Sequence, residues 1–157
     1  MVDSLNDRPS DEAASEQTIS QDHIALIYSS AEERLASTIP LVKVGLERGE
    51  LCLYISDLED DQGLVEALKA EHIDVEKAIS TGGLILTSKQ EVYFQLGRFD
   101  PDWTIRVIKN VAELAISYGF TAMRVISDMK WTRDDVPGVE RWQEYEADLC
   151  TLDLGLR

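Results

Sequence analysis

The chain is 157 residues long and carries a net charge of −15, with 30 acidic against 15 basic side chains. That length suffices for one domain with a core of its own. The charge speaks against direct contact with nucleic acid or an anionic membrane, since both need a basic patch, and 2 cysteines are too few for a disulfide framework.

Residues 1–21, which include DSLNDRPSDEAASEQT, are polar, acidic and almost free of large apolar side chains. Such a segment buries too little surface to offset its ordering entropy, so a disordered acidic tail is expected. It has neither the basic start nor the apolar middle of a secretory signal. No apolar run in the chain approaches the ~18 residues of a membrane span. The expectation is a cytoplasmic protein with one folded domain over 22–157.

The folded part opens on HIALIY (23–28), a short apolar run read as a strand. Ser30-Ala31-Glu32-Glu33 follows as a capping box. Leu35, Ile39, Val42 and Leu46 then recur at helical spacing. Pro40 is expected to kink or interrupt this helix, and Gly49 to end it. LCLYIS (51–56) is apolar on both faces, as in a strand covered by helices. An acidic turn at 57–61 leads to a helix over about 62–72, burying Leu64, Val65 and Leu68, and a short helix runs on to about 80. Gly82-Gly83 turns into a strand at 84–87, and residues 90–96 suggest a helical turn. Asp100-Pro101 is an N-cap followed by proline at the first helical position, and the helix it opens stops at Gly119. A fourth strand spans 122–128, and Pro137 opens a last helix through Trp142, Tyr145 and Leu149.

Strands alternating with helices at this spacing imply crossovers between parallel strands. The expected fold is α/β, a three-layer sandwich around a mainly parallel sheet. Ligands in such folds sit beyond the carboxyl ends of the strands. Those ends carry Tyr28, Ser29, Ser56, Asp57, Thr87, Asp128, Met129 and Trp131.

Strand, turn, helix, strand is also the order in which a P-loop unit begins. A P-loop places glycine amides and a lysine around phosphate at that turn. Here the turn is Tyr28-Ser29-Ser30-Ala31-Glu32-Glu33, with no glycine, no lysine and two carboxylates. Two acids repel a polyanion, so a scaffold that senses rather than hydrolyses is expected.

LVKVGLERGELCLYISDLED, the downstream GLILT, the GRFDPD loop, FTAMRVISDMKW and PGVERWQEYE together resemble the MEDS domain. The likeness covers about residues 22 to 149, with the pieces in the family's order and spacing. LERGELCLYIS is also similar to the same segment of circadian-clock KaiC-type and RecA-type ATPases, which implies a RecA-like topology lacking the P-loop. MEDS domains are sensory modules of methanogen and methylotroph regulators, fused to histidine kinases or helix-turn-helix segments. The resemblance therefore implies sensing of small hydrocarbon derivatives, with such a kinase or regulator as partner. Family members continue past the YE helix into another strand and helix, whereas this chain stops at CTLDLGLR. The C-terminal part is thus read as shortened. Either Leu149 to Leu154 replaces the strand, or the sheet lacks it and a homodimer covers the gap.

The candidate ligand-binding residues are His23, Tyr28, Ser29, Phe99, Trp103, Arg124, Asp128, Met129 and Trp131. His23 begins the first strand, where the family pattern has a histidine. No His or Cys group has metal spacing, so no metal is expected there. Asp128 stands where an ATPase would hold Mg²⁺, but without a phosphate grip it is a turn residue or pocket lining. Arg124 lies among apolar neighbours and needs a carboxylate, with Glu144, Glu146 and Asp128 as the candidates. Tyr28, Phe99, Trp103, Met129 and Trp131 suit either a core or an apolar pocket with a few polar groups. Glu32 and Glu33 are explained by capping, and no nucleophile–base arrangement stands out, so no catalytic residue and no cofactor are assigned. Two alternatives to a ligand sensor remain, a residual RecA/KaiC-like ATPase and a protein-interaction module.

Overall fold

The structure, a computed structural model, describes residues 23–152, leaving aside the side chains of 58–61. The expectation of a disordered tail over 1–21 lies outside the described residues.

The first helix, α1 (Ala31–Glu47), is capped by Ser30, whose side chain accepts from the Glu33 backbone N–H. Glu33 reaches back one residue further than a capping box requires and accepts from the Ser29 N–H at 2.7 Å. Pro40 lies inside α1 without ending it, contrary to the expected interruption. Proline removes the helical N–H that would pair with the carbonyl of Ala36, four residues back, and Ala36 is an exposed residue. Gly49, at φ +72°, turns the chain into β1 (Leu51–Ser56), every residue of which is buried. The next helix, α2 (Leu58–Ala70), begins about four residues earlier than its apolar spacing suggested. The acidic stretch read as a turn belongs to its first turn, where the helix dipole favours negative charge. A short α3 (Val75–Ser80) is capped by Asp74, and β2 (Leu84–Ser88) leads directly into the single turn α4 (Lys89–Val92). Asp100 caps α5 (Pro101–Ser117) by accepting from the Trp103 N–H, with proline at the helix start as expected. After β3 (Met123–Ser127) come two 3₁₀ turns, Lys130–Arg133 and Val139–Arg141, and then α6 (Trp142–Thr151). Pro137 therefore precedes a 3₁₀ turn rather than opening α6.

The sheet has three parallel strands in the order β2-β1-β3. Cys52 is aligned with Leu84 on one side and Arg124 on the other. Side chains of β1 alternate between two cores. Leu51, Leu53 and Ile55 join Tyr93, Phe99, Ile108, Trp131 and Tyr145, with α5 and α6 residues packed against them. Cys52 and Tyr54 join Val42, Leu64, Leu68 and Val75 from α1, α2 and α3. Helices thus cover both faces, which is why β1 reads as one apolar run.

Two expectations about strands are corrected. HIALIY (23–28) forms no strand, and Ile27 is 98% exposed. A strand needs an edge to pair with, and among the described residues β3 pairs only with β1. The run is instead tethered by side chains, Tyr28 to Asp128 and His23 to α6. The second concerns Leu149 to Leu154. Leu149 and Thr151 are helical, because Trp142, Tyr145, Leu149 and Leu152 recur at helical spacing toward the same core. Residues 153–157 lie outside the described part.

Candidate functional site

The carboxyl ends of the three strands define one edge of the sheet. β1 ends at Ser56, β2 at Ser88 and β3 at Ser127. Lys89 Nζ lies 3.0 Å from the Asp57 carboxylate and so ties the ends of β2 and β1 together.

At the end of β3, Tyr28 donates its hydroxyl proton to Asp128 Oδ1 at 2.7 Å, and the Lys130 backbone N–H donates to the same oxygen at 3.1 Å. Lys130 Nζ lies 3.5 Å from the other Asp128 oxygen and 5.4 Å from the centroid of the Tyr28 ring. Burial and the adjacent Asp128 carboxylate hold the Tyr28 phenol above its ordinary range, opposed by Arg34. Arg34 is buried and donates to the Tyr54 hydroxyl at 2.6 Å. In the turn itself, the Ser29 N–H and the Ser30 hydroxyl are both engaged with Glu33.

Phe99, Met129 and Trp131 are brought together on the other side of this edge, in an aromatic core. Phe99 is 1% exposed and Trp131 2%. The Trp131 ring lies 5.0 Å from Phe94, 5.0 Å from Phe99 and 5.1 Å from Tyr93, centroid to centroid. Trp142 and Tyr145 close the cluster from α6. Tyr93 donates to Ser127 Oγ at 2.9 Å with Met129 Sδ at 3.6 Å, and burial pushes its phenol up to about 12. Trp103 sits in the first turn of α5, and its indole nitrogen is buried without a partner.

The remaining two candidates lie elsewhere. Arg124 Nε pairs with Glu50 at 2.7 Å, at the opposite, amino-terminal end of the strands. Its carboxylate is therefore none of Glu144, Glu146 and Asp128; parallel pairing sets the start of β3 beside the residue that precedes β1. His23 lies 3.4 Å from Cys150 Sγ and 3.5 Å from Glu146, both on α6. Among the described residues, no group of three or more His, Cys, Asp or Glu side chains is placed to hold a metal ion.

Between the loops that follow β2 and β3 lies a cavity of about 280 Å³, lined by Lys89, Gln90, Phe94, Trp131, Asp134 and Val136, with Gly97 at its margin. Of these, sequence reasoning singled out only Trp131. The usable signal was Val92-Tyr93-Phe94, an apolar run placed just after a strand's carboxyl end.

The two thiols differ in a way that can be measured. Cys52 is buried, donates to the Val42 carbonyl, and burial pushes its thiol up to about 11. Cys150 is exposed. Reactivity belongs to the accessible thiolate, so iodoacetamide near neutral pH is expected to alkylate Cys150 and spare Cys52. Intact-mass counting checks this, and double labelling of folded protein would contradict it.

No helix among the described residues is long and apolar enough to cross a membrane. No solved structure matches the chain. The chain is 25% identical over 150 residues to the transcriptional repressor DcmR of Methylorubrum extorquens, a match covering 93% of this chain and 52% of that protein. It thus spans about half the length of the curated relative it matches. Residues 22–153 match the family described as the methanogen/methylotroph, DcmR sensory domain. The chain belongs to that family, the MEDS domains.

Proposed function

We propose that this domain is a non-catalytic, cytoplasmic sensor of prokaryotic signal transduction. It binds a small, largely apolar, hydrocarbon-derived molecule at the carboxyl edge of its sheet. Occupancy is passed to a helix-turn-helix regulator or a histidine kinase, a reading supported by the likeness to a transcriptional repressor. The observation that carries it is the state of the first turn. Its Ser29 N–H and Ser30 hydroxyl are committed to Glu33, and Asp128 opposite is committed to Tyr28 and Lys130. With the Ser29 and Glu33 N–H groups taken and two carboxylates beside them, the turn disfavours a phosphate.

The parallel sheet, covered by helices on both faces, supports a RecA-like scaffold without a phosphate grip, in which the segment before the turn, 23–28, is not a strand. Tyr28, Ser29, Asp128, Met129 and Trp131 are at or next to the edge, and Phe99 and Trp103 back it. Arg124 and His23 contribute from outside it, by holding β3 and the 23–28 segment in place. The outer side of β3, unpaired among the described residues, with exposed Ile24, Leu26 and Ile27 near Tyr28 in sequence, supports homodimerisation.

Mass spectrometry of small molecules carried through native purification tests the reading. A stoichiometric, largely apolar metabolite is expected. Titration with ATP and Mg²⁺ is expected to give no saturable heat at sub-millimolar concentration. Micromolar ATP affinity lost on changing Ser29 or Ser30 would instead favour the ATPase alternative.

A further inference from the structure

The two ends of the described chain meet at α6. That helix carries Glu146 and Cys150 four residues apart, about one turn, so both side chains stand on one face. His23, 127 positions from Cys150, lies against that face. Its Nδ1 is 3.4 Å from Cys150 Sγ, and its Nε2 is 3.5 Å from a carboxylate oxygen of Glu146. The three groups therefore stand in the order thiol, imidazole, carboxylate.

That order settles where the protons go. An ionised carboxylate accepts and does not donate, so Glu146 keeps the ring proton of neutral His23 on Nε2. Nδ1 then turns its lone pair to the sulfur and accepts the thiol proton. The imidazolium that results lies between thiolate and carboxylate. It also lies beside the last turn of α6, where the helix carbonyls favour positive charge. A nucleophile next to a base that a third group orients is an activated nucleophile, and the thiolate is the reactive form of cysteine.

The site is open to a reagent. Cys150 is exposed, and the His23 and Glu146 side chains are 37% and 36% exposed. Ile24 and Leu26, exposed as well, follow His23 in the chain, while Glu146 and a net charge of −15 repel anions. These surroundings favour a neutral, partly apolar reactant.

We propose that Cys150 is a covalent capture site for small α,β-unsaturated carbonyl compounds, with His23 as its base and Glu146 as the residue that positions His23. The thiol proton passes to His23 Nδ1. The sulfur electron pair forms a bond to the β-carbon, and the carbon–carbon π pair moves toward the carbonyl as an enolate. The imidazolium returns its proton to the α-carbon, which leaves a thioether and neutral His23. Nothing departs and nothing is oxidised. The domain takes up one equivalent and turns nothing over, and this site does not depend on a ligand at the carboxyl edge of the sheet.

Methyl vinyl ketone is the probe, with addition near neutral pH followed by intact mass. Wild type is expected to add one equivalent about tenfold faster than N-acetylcysteinamide, less than the 10²–10⁴-fold of an enclosed general base because this site is exposed. Cys150→Ser should abolish the addition. His23→Gln should bring the rate down to that of the free thiol, and Glu146→Gln should cost about threefold, the size of an exposed ion pair. All three positions lie outside the buried core, so the variants keep the fold. The chain has 2 histidines, so ¹⁵N-edited NMR reads His23 with His72 as its internal control. The neutral His23 ring should carry its proton on Nε2, and the adduct should shift the His23 signals while leaving those of His72 in place. A wild-type rate within about twofold of the free thiol's, where no base assists, overturns the proposal. So does a rate unchanged by His23→Gln, or an adduct that leaves the His23 signals unmoved. Acceleration toward hydrogen peroxide with none toward the enone overturns the class of reactant.

Discussion

Trp131→Ala is expected to destabilise the domain by about 3–5 kcal/mol, the range for deleting a large buried aromatic side chain. Trp131 is among the largest fully buried side chains and touches four other rings, Tyr93, Phe94, Phe99 and Trp142. Those rings come from three separate stretches of chain, so they have little freedom to collapse into the space left behind. A loss of that size is a large fraction of a small domain's total stability. Urea denaturation followed by far-UV circular dichroism measures it, and a loss under 1 kcal/mol would mean that Trp131 is not part of the core. From sequence, Trp131 suits either a core or an apolar pocket at the strand ends. The structure makes it a residue of both core and cavity wall, so Trp131→Phe is the variant that separates binding from folding.

Gly138→Ala is expected to cost more than about 2 kcal/mol, from two causes acting together. Gly138 has φ +91°, a conformation that residues with a Cβ rarely adopt. A Cβ there would also overlap the carbonyl oxygen of Phe99, and Phe99 cannot retreat. Its N–H donates to the Pro137 carbonyl at 2.8 Å, and its ring is buried against Trp131. Gly97→Ala separates the two causes. Gly97 has φ +73°, but a Cβ there meets nothing within 4 Å. Its cost should stay near 1 kcal/mol, that of the backbone conformation alone. Thermal melts of both variants against wild type check the pair, and equal losses would remove the steric argument.

The first turn shows how far the residues themselves carried the reading. Ser30 and Glu33 announced a helix cap and the absence of a phosphate grip, and the cap is there with Ser29 drawn in as well. The cavity was not legible in the same way. Lys89, Gln90 and Phe94 are separated from Asp134 and Val136 by about forty residues of helix and strand, and no local pattern relates them.

What the sequence determined by itself was set by interactions within a few residues. Ser30, Asp74 and Asp100 each accept from a backbone N–H three positions on. The apolar run of β1 follows from being covered on both faces, and the glycines at 49 and 119 close helices through positive φ. The tertiary structure decided the rest. Whether HIALIY becomes a strand depends on an edge that its own residues do not contain. Arg124 meets Glu50 across 74 positions because parallel pairing aligns the starts of β1 and β3, whereas helical proximity in sequence had pointed to α6. Trp131 became core because the loop after β2 folds over it. Local chemistry is encoded where it acts, while pairing, burial and cavities exist only once distant segments have met.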